Sequence, residues 1–151
     1  MNCHGHGRIN FALVGDVLPE QEESLRLFIE KGNIFINLPT GYGKSLIFQC
    51  LSIVWDVVFK KPRGSSVVVS PLKALMADQV EKLGNIGIPA VSLTGKEDHE
   101  TIQQVMNGSY LLVYCSPECL LTTMRGIFAD SEFQTKLIAV AVDEAHCVTQ
   151  W

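Results

Sequence analysis

Eight residues, Leu38-Pro39-Thr40-Gly41-Tyr42-Gly43-Lys44-Ser45, join an apolar run of strand length to a long apolar helical pattern, and they carry the strongest chemical signal in the chain. Gly41 and Gly43 leave the backbone N–H groups free to turn toward one point without Cβ obstruction. The helix that follows adds the positive end of its dipole, so the loop favours a polyphosphate. Lys44 is placed to reach β- and γ-phosphates and the Ser45 hydroxyl to ligate Mg²⁺, with Pro39, Thr40 and Tyr42 completing the cradle. The general phosphate-loop pattern has glycine five residues before Gly43, where this chain has Leu38; the Gly-Lys-Ser core is intact.

Asp143-Glu144-Ala145-His146 is the second constellation, directly after the apolar run Leu137–Val142. A carboxylate at the C-terminal end of a parallel strand lies where α/β sheets place their ligands. Asp143 can hold Mg²⁺ through a water, and Glu144 can orient or deprotonate an attacking water. Two acidic residues after a strand are also common as a solvated loop; the Gly-Lys-Ser loop gives them their meaning. A guanine-specific reading fails, because Thr94-Gly95-Lys96-Glu97-Asp98 has the wrong spacing for an Asn/Thr-Lys-x-Asp loop.

The elements that must position these residues alternate between strand and helix. A helix opens at Pro19 and closes near Gly32. A short buried strand is expected over 33–38, a core helix over Lys44–Phe59 and a strand over 66–70. Ser70 and Pro71 are expected to start the next helix and Gly84 to end it. Strands over 90–93, 110–114 and 137–142 follow, with helices over 97–106, 117–124 and 131–136 between them. This order predicts an α/β fold with a parallel sheet covered on both faces.

With 151 residues, 47% of them apolar, the chain fits one domain and excludes disorder for its bulk. Its net charge of −4 means that any nucleic-acid site must be local. No run reaches the roughly 18 apolar residues of a membrane span, so no membrane partner is expected. Five scattered cysteines without a Cys-x-x-Cys pair read as reduced thiols. Zinc binding by Cys3, His4 and His6 lacks a second ligand pair at finger spacing.

The wording of these motifs resembles a superfamily-two helicase of the DEAH-box type, specifically the RecQ family. Leu38 to Ser45 is similar to that family's first motif, in which Leu before Pro-Thr-Gly is usual. Val69-Ser70-Pro71-Leu72, continuing through Lys73 to Val80, resembles a motif that touches the DNA backbone, and Tyr114-Cys115-Ser116-Pro117-Glu118 a further strand-contacting segment. Asp143 to Trp151 matches the RecQ wording of the second ATPase motif.

The resemblance implies a three-layer RecA-like P-loop fold over residues 19–151, after a partly frayed segment 1–18. ATP and Mg²⁺ are the implied cofactors. Lys44, Asp143, Glu144 and His146 are the implied catalytic group. Gln21 is the implied adenine reader; a solvated helix-start glutamine is the plainer alternative. Candidate contacts to single-stranded or forked DNA are Ser70, Lys73, Thr94, Gly95, Ser116 and Arg125. A second RecA-like lobe is an implied partner, and the nucleus (the cytoplasm in a source without one) the implied compartment. Read this way, the chain is a lobe of a 3′-to-5′ DNA helicase, truncated after the DEAH strand. The alternative is a module that binds Mg·ATP without productive turnover. Family sheet order places a further strand between 33–38 and 137–142, so a gap is expected there, with marginal stability.

Overall fold

In the computed structural model, which describes residues 17–39, 41–60 and 64–144, one parallel sheet separates two helical layers. Helices α1 (Pro19–Lys31) and α2 (Lys44–Phe59) precede strand β1 (Ser65–Val69) and helix α3 (Lys73–Asn85). Strand β2 (Ala90–Leu93), helix α4 (His99–Met106) and strand β3 (Leu112–Cys115) follow. Three short helices, α5 (Pro117–Leu121), α6 (Thr123–Ala129) and α7 (Ser131–Lys136), lead into β4 (Leu137–Val142). The sheet order is β2-β3-β1-β4, with every pairing parallel.

Strand β1 is buried along its whole length, as the middle of a doubly covered sheet requires. Val67 and Val69 point to one face, where Val105, Met124, Ile127 and Phe133 of the α4–α7 layer cover them. Val68 points to the other and meets Met76 and Leu83 of α3. Each buried valine is worth about 1.5–3 kcal/mol of transfer free energy. The serines of this strand are satisfied locally. Ser65 donates to Tyr110 O at 2.6 Å, and Ser66 pairs with Ser52 of α2 at 2.8 Å. A second apolar cluster joins Leu25 of α1 to Ile47, Leu51 and Val54 of α2 and Ala139 of β4.

The β1–β4 ladder is irregular at its start: Ser65 pairs with Leu137 and Ser66 with Ala139, so Ile138 is an extra residue. Gly64 accommodates it. A Cβ there would lie 1.8 Å from Ile138 Cδ1. Among the described residues, no helix is long and apolar enough to cross a membrane. Cys50, Cys115 and Cys119 are free and buried, whereas Cys3, His4, His6 and Cys147 lie outside the described residues.

Three sequence expectations need correction. Residues 33–38 are not a buried strand: they carry no ladder, and Phe35 is 84% exposed. Ile36 and Leu38 still pack against the α1–α2 cluster, which explains the apolar pattern. Among the described residues the segment has no ladder partner and β4 is an edge strand, and the Val140 and Val142 side chains are exposed on one face of it. The described sheet therefore has four strands rather than five, and since 33–38 is no strand it does not flank a gap beside β4. Second, Ser70 does not cap α3. Its N–H still bonds Cys115 O at 3.0 Å in the sheet, and the helix waits for Leu72, whose carbonyl accepts from Met76. Third, Gly84 lies inside α3, and the left-handed residue beyond the helix is Gly87 (φ +78°).

Candidate functional site

Gly43 is the N-cap of α2 in a left-handed conformation (φ 65°, ψ 38°), and Gly41 also has positive φ. The cap offers no side chain, and the first turn of α2 holds no acidic residue. Among the described residues no side chain caps this end, so the positive dipole end of a sixteen-residue helix faces the loop, with the Leu46 N–H turned back on Gly43 O at 3.0 Å. Lys44 Nζ folds over the same loop and donates to Leu38 O at 2.9 Å and Pro39 O at 3.5 Å. Positive charge and free donors are thus concentrated at one helix end. Thr40 lies outside the described residues.

Gln21 braces this loop from behind. It is 4% exposed, and its amide nitrogen donates to Tyr42 O at 2.9 Å and Gly43 O at 3.3 Å. Its carbonyl oxygen accepts from Leu18 N at 2.9 Å, closing the start of α1. The glutamine is therefore buried rather than solvated. A Cβ on Gly43 would stand 2.5 Å from Gln21 Nε2. Gly43→Ala must bear both this clash and the left-handed backbone, so it is expected to cost at least about 1–2 kcal/mol of unfolding free energy. Urea denaturation would measure it, and an unchanged midpoint would refute the close packing of loop and α1.

Asp143 follows β4, and its N–H extends the ladder to Val69 O at 2.9 Å. Burial, then the neighbouring Glu144 charge, raises its carboxyl above the usual range, while the Glu144 N–H and the Lys44 ammonium pull in the opposite direction. Glu144 is a non-glycine residue at φ 54°, with its N–H on Asp143 Oδ1 at 3.0 Å. His146 lies outside the described residues. Asp143 and Ser45 line one narrow cleft together with Ser70, Gln79 and Tyr114. Ser45 hydroxyl and Asp143 carboxylate form a hard, oxygen-only donor set, which suits Mg²⁺ bound by one or two protein groups plus phosphates.

The candidate DNA contacts divide into two groups. Lys73 at the start of α3, Thr94 and Gly95 after β2, and Arg125 on α6 are exposed. Ser70 and Ser116 are each only 2% exposed, so a side-chain contact to nucleic acid does not match their burial. Ser116 caps α5, accepting from Cys119 N at 3.2 Å, and its hydroxyl holds Glu118 below the usual carboxylate range. Ser70 turns into the Ser45–Asp143 cleft.

Sequence reasoning missed two features. Glu97 folds its carboxylate onto Thr94 N, onto the Thr94 hydroxyl at 2.9 Å and onto Gly95 N at 2.9 Å. The Thr-Gly-x-Glu spacing was the available signal. Gln49 of α2 donates to Gln79 Oε1 at 2.6 Å and to Tyr114 OH at 3.2 Å, tying α2, α3 and β3 together under the cleft. No local pattern marks that contact.

The DEAD/DEAH box helicase family profile matches residues 18–151. The chain belongs to the DEAD/DEAH box helicases. Its relatives within them are RecQ-family proteins. It is 36% identical over 88% of its length to ATP-dependent helicase SGS1 of Saccharomyces cerevisiae, of which it covers 9%. It is 35% identical over 87% of its length to ATP-dependent DNA helicase RecQ of Bacillus subtilis, of which it covers 21%. The chain thus spans a small part of the curated relatives it matches. The structure of Mycobacterium smegmatis helicase Lhr bound to ssDNA and AMP-PNP shares the fold (TM-score 0.58, 22% identity), covering 91% of this helicase chain and 20% of that one.

Proposed function

We propose that this chain is the ATP-binding lobe of a RecQ-type helicase that couples ATP hydrolysis to 3′-to-5′ separation of DNA strands. The observation that carries the reading is the α2 terminus with Lys44 folded over its loop, near enough to act on the Asp143 charge, beside a cleft that Ser45 and Asp143 line together. The α2 N–H groups and Lys44 bind the phosphates, while Ser45 and Asp143 hold Mg²⁺, which neutralises phosphate charge. Glu144 takes the proton of the attacking water, and His146 continues the same motif. Adenine reading by Gln21 needs one of its loop hydrogen bonds released; otherwise Gln21 acts as the brace of the loop. Mg·ATP titration calorimetry tests the binding step, and ATP turnover with and without single-stranded DNA tests the coupling. Absence of binding would overturn the reading.

A second reading, binding without productive turnover by this lobe alone, has its own support. The arginines among the described residues are Arg26 and Arg125. Arg26 is held by Glu23 at 2.6 Å and Glu30 at 2.7 Å on exposed α1, and neither arginine lines the cleft. An arginine supplied from a second lobe is worth about 10³–10⁵ in rate.

DNA is expected along Lys73, Thr94, Gly95 and Arg125, weakly, given the net charge of −4. Glu97 already occupies the Thr94–Gly95 donors, so a DNA phosphate there must displace it. Glu97→Ala is expected to tighten single-stranded DNA binding several-fold at low salt, about 1 kcal/mol or less for an exposed charge. Fluorescence anisotropy at two salt concentrations measures it, and equal affinities would remove this loop from the DNA face.

A further inference from the structure

Gln21 is buried at the start of α1, and its amide is committed to backbone on both sides. The partners fix which way the amide points. The Tyr42 and Gly43 carbonyls can only accept and the Leu18 N–H can only donate, so the nitrogen faces the loop and the oxygen faces Leu18. Both hydrogens of the nitrogen are thereby spent. An adenine edge asks for a donor to N7 together with an acceptor for N6, and this amide has no donor left to offer. Gly43 belongs to the same arrangement, since a Cβ there would lie 2.5 Å from Gln21 Nε2 and push the amide off the loop.

The two carbonyls are consecutive, and that decides what the amide controls. In a planar trans peptide the C=O and the N–H of the next residue point in opposite directions. Drawing Tyr42 O and Gly43 O toward α1 therefore turns the Gly43 and Lys44 N–H groups away from it. Among the described residues neither N–H has an acceptor, and both lie at the α2 terminus over which the Lys44 ammonium folds. We propose that Gln21 is a positioning residue for phosphate. By holding two successive peptide planes it aims the Gly43 and Lys44 N–H groups at a polyphosphate, whatever base the nucleotide carries. The inference rests on the proposed phosphate site at α2. Donors fixed before the ligand arrives need no ordering on binding, which is how a side chain that never touches phosphate raises affinity for it.

The test is titration calorimetry of the purified chain with Mg·ATP, Mg·GTP and magnesium tripolyphosphate, which has no base. Gln21→Ala is expected to weaken all three alike, by about tenfold, from the loss of two neutral hydrogen bonds that hold the loop. Gln21→Glu keeps the acceptor for Leu18 N but sets a carboxylate against two carbonyls, so it should weaken them at least as much. The stoichiometry counts folded chains and the Kd reads the site. A variant that lowers the first and leaves the second unchanged makes Gln21 structural and overturns the proposal. A loss confined to the nucleotides, with tripolyphosphate unchanged, makes Gln21 a reader of base or sugar and also overturns it, while the phosphate site stands. Parent-like affinities in Gln21→Glu overturn it too, because the loop donors are then dispensable. A parent chain that binds none of the three brings down the phosphate site itself, and this inference with it.

Discussion

Lys44→Ala is expected to weaken Mg·ATP binding about a hundredfold, because two charge-assisted hydrogen bonds lost to phosphate amount to about 3 kcal/mol. The fold should tolerate the change. Lys44 is half-buried, and among the described residues its ammonium hydrogen-bonds the Leu38 and Pro39 carbonyls, both of which lie in the irregular loop. The loss should therefore appear in titration calorimetry without a matching drop in Tm. Those carbonyls hold the ammonium near the loop mouth, and phosphate oxygens would replace them as acceptors. Unchanged nucleotide affinity would sink the phosphate assignment.

Glu144→Gln, made in the whole helicase, is expected to leave ATP binding intact and slow hydrolysis by about 10²-fold or more. The substitution keeps the shape and removes the proton acceptor. The backbone that aims this side chain is unaffected, since the left-handed turn is fixed by the Glu144 N–H on Asp143 Oδ1. Single-turnover measurement separates the step from product release. An unaltered rate would place the base elsewhere.

Where local chemistry decides, sequence and structure agree closely. The Pro19 start and Gly32 stop of α1, the full span of α2 and strand β4 are all set by caps, breakers and apolar period, and they fall where expected. The glycine-rich turn is legible too, since Gly41 and Gly43, chosen for their missing Cβ, both take positive φ. What sequence could not show depends on partners distant along the chain. Residues 33–38 read as a strand because Ile36 and Leu38 pack on α2, yet a strand also needs a ladder, and none is available. Ser70 read as a helix cap because Pro follows it, but the pull of Cys115 O keeps it in the sheet. Gln21 read as a helix-start residue with an adenine to meet. Its burial against Tyr42 and Gly43 arises from the fold of α1 over the loop, twenty-one residues away.

The strand order has a geometric consequence. Asp143, Ser70, Ser116 and Thr94 follow β4, β1, β3 and β2 in that sequence, so they stand as a row along the carboxyl edge of the sheet. Adjacent strands are about 4.8 Å apart, which sets Asp143 and Thr94 about 14 Å from each other across three spacings. The sheet thus works as a ruler with the proposed nucleotide site at one end and the Thr94 loop at the other. Ligands at the two ends do not touch, and any message between them has to cross two buried serines in a stiff, fully covered pair of strands.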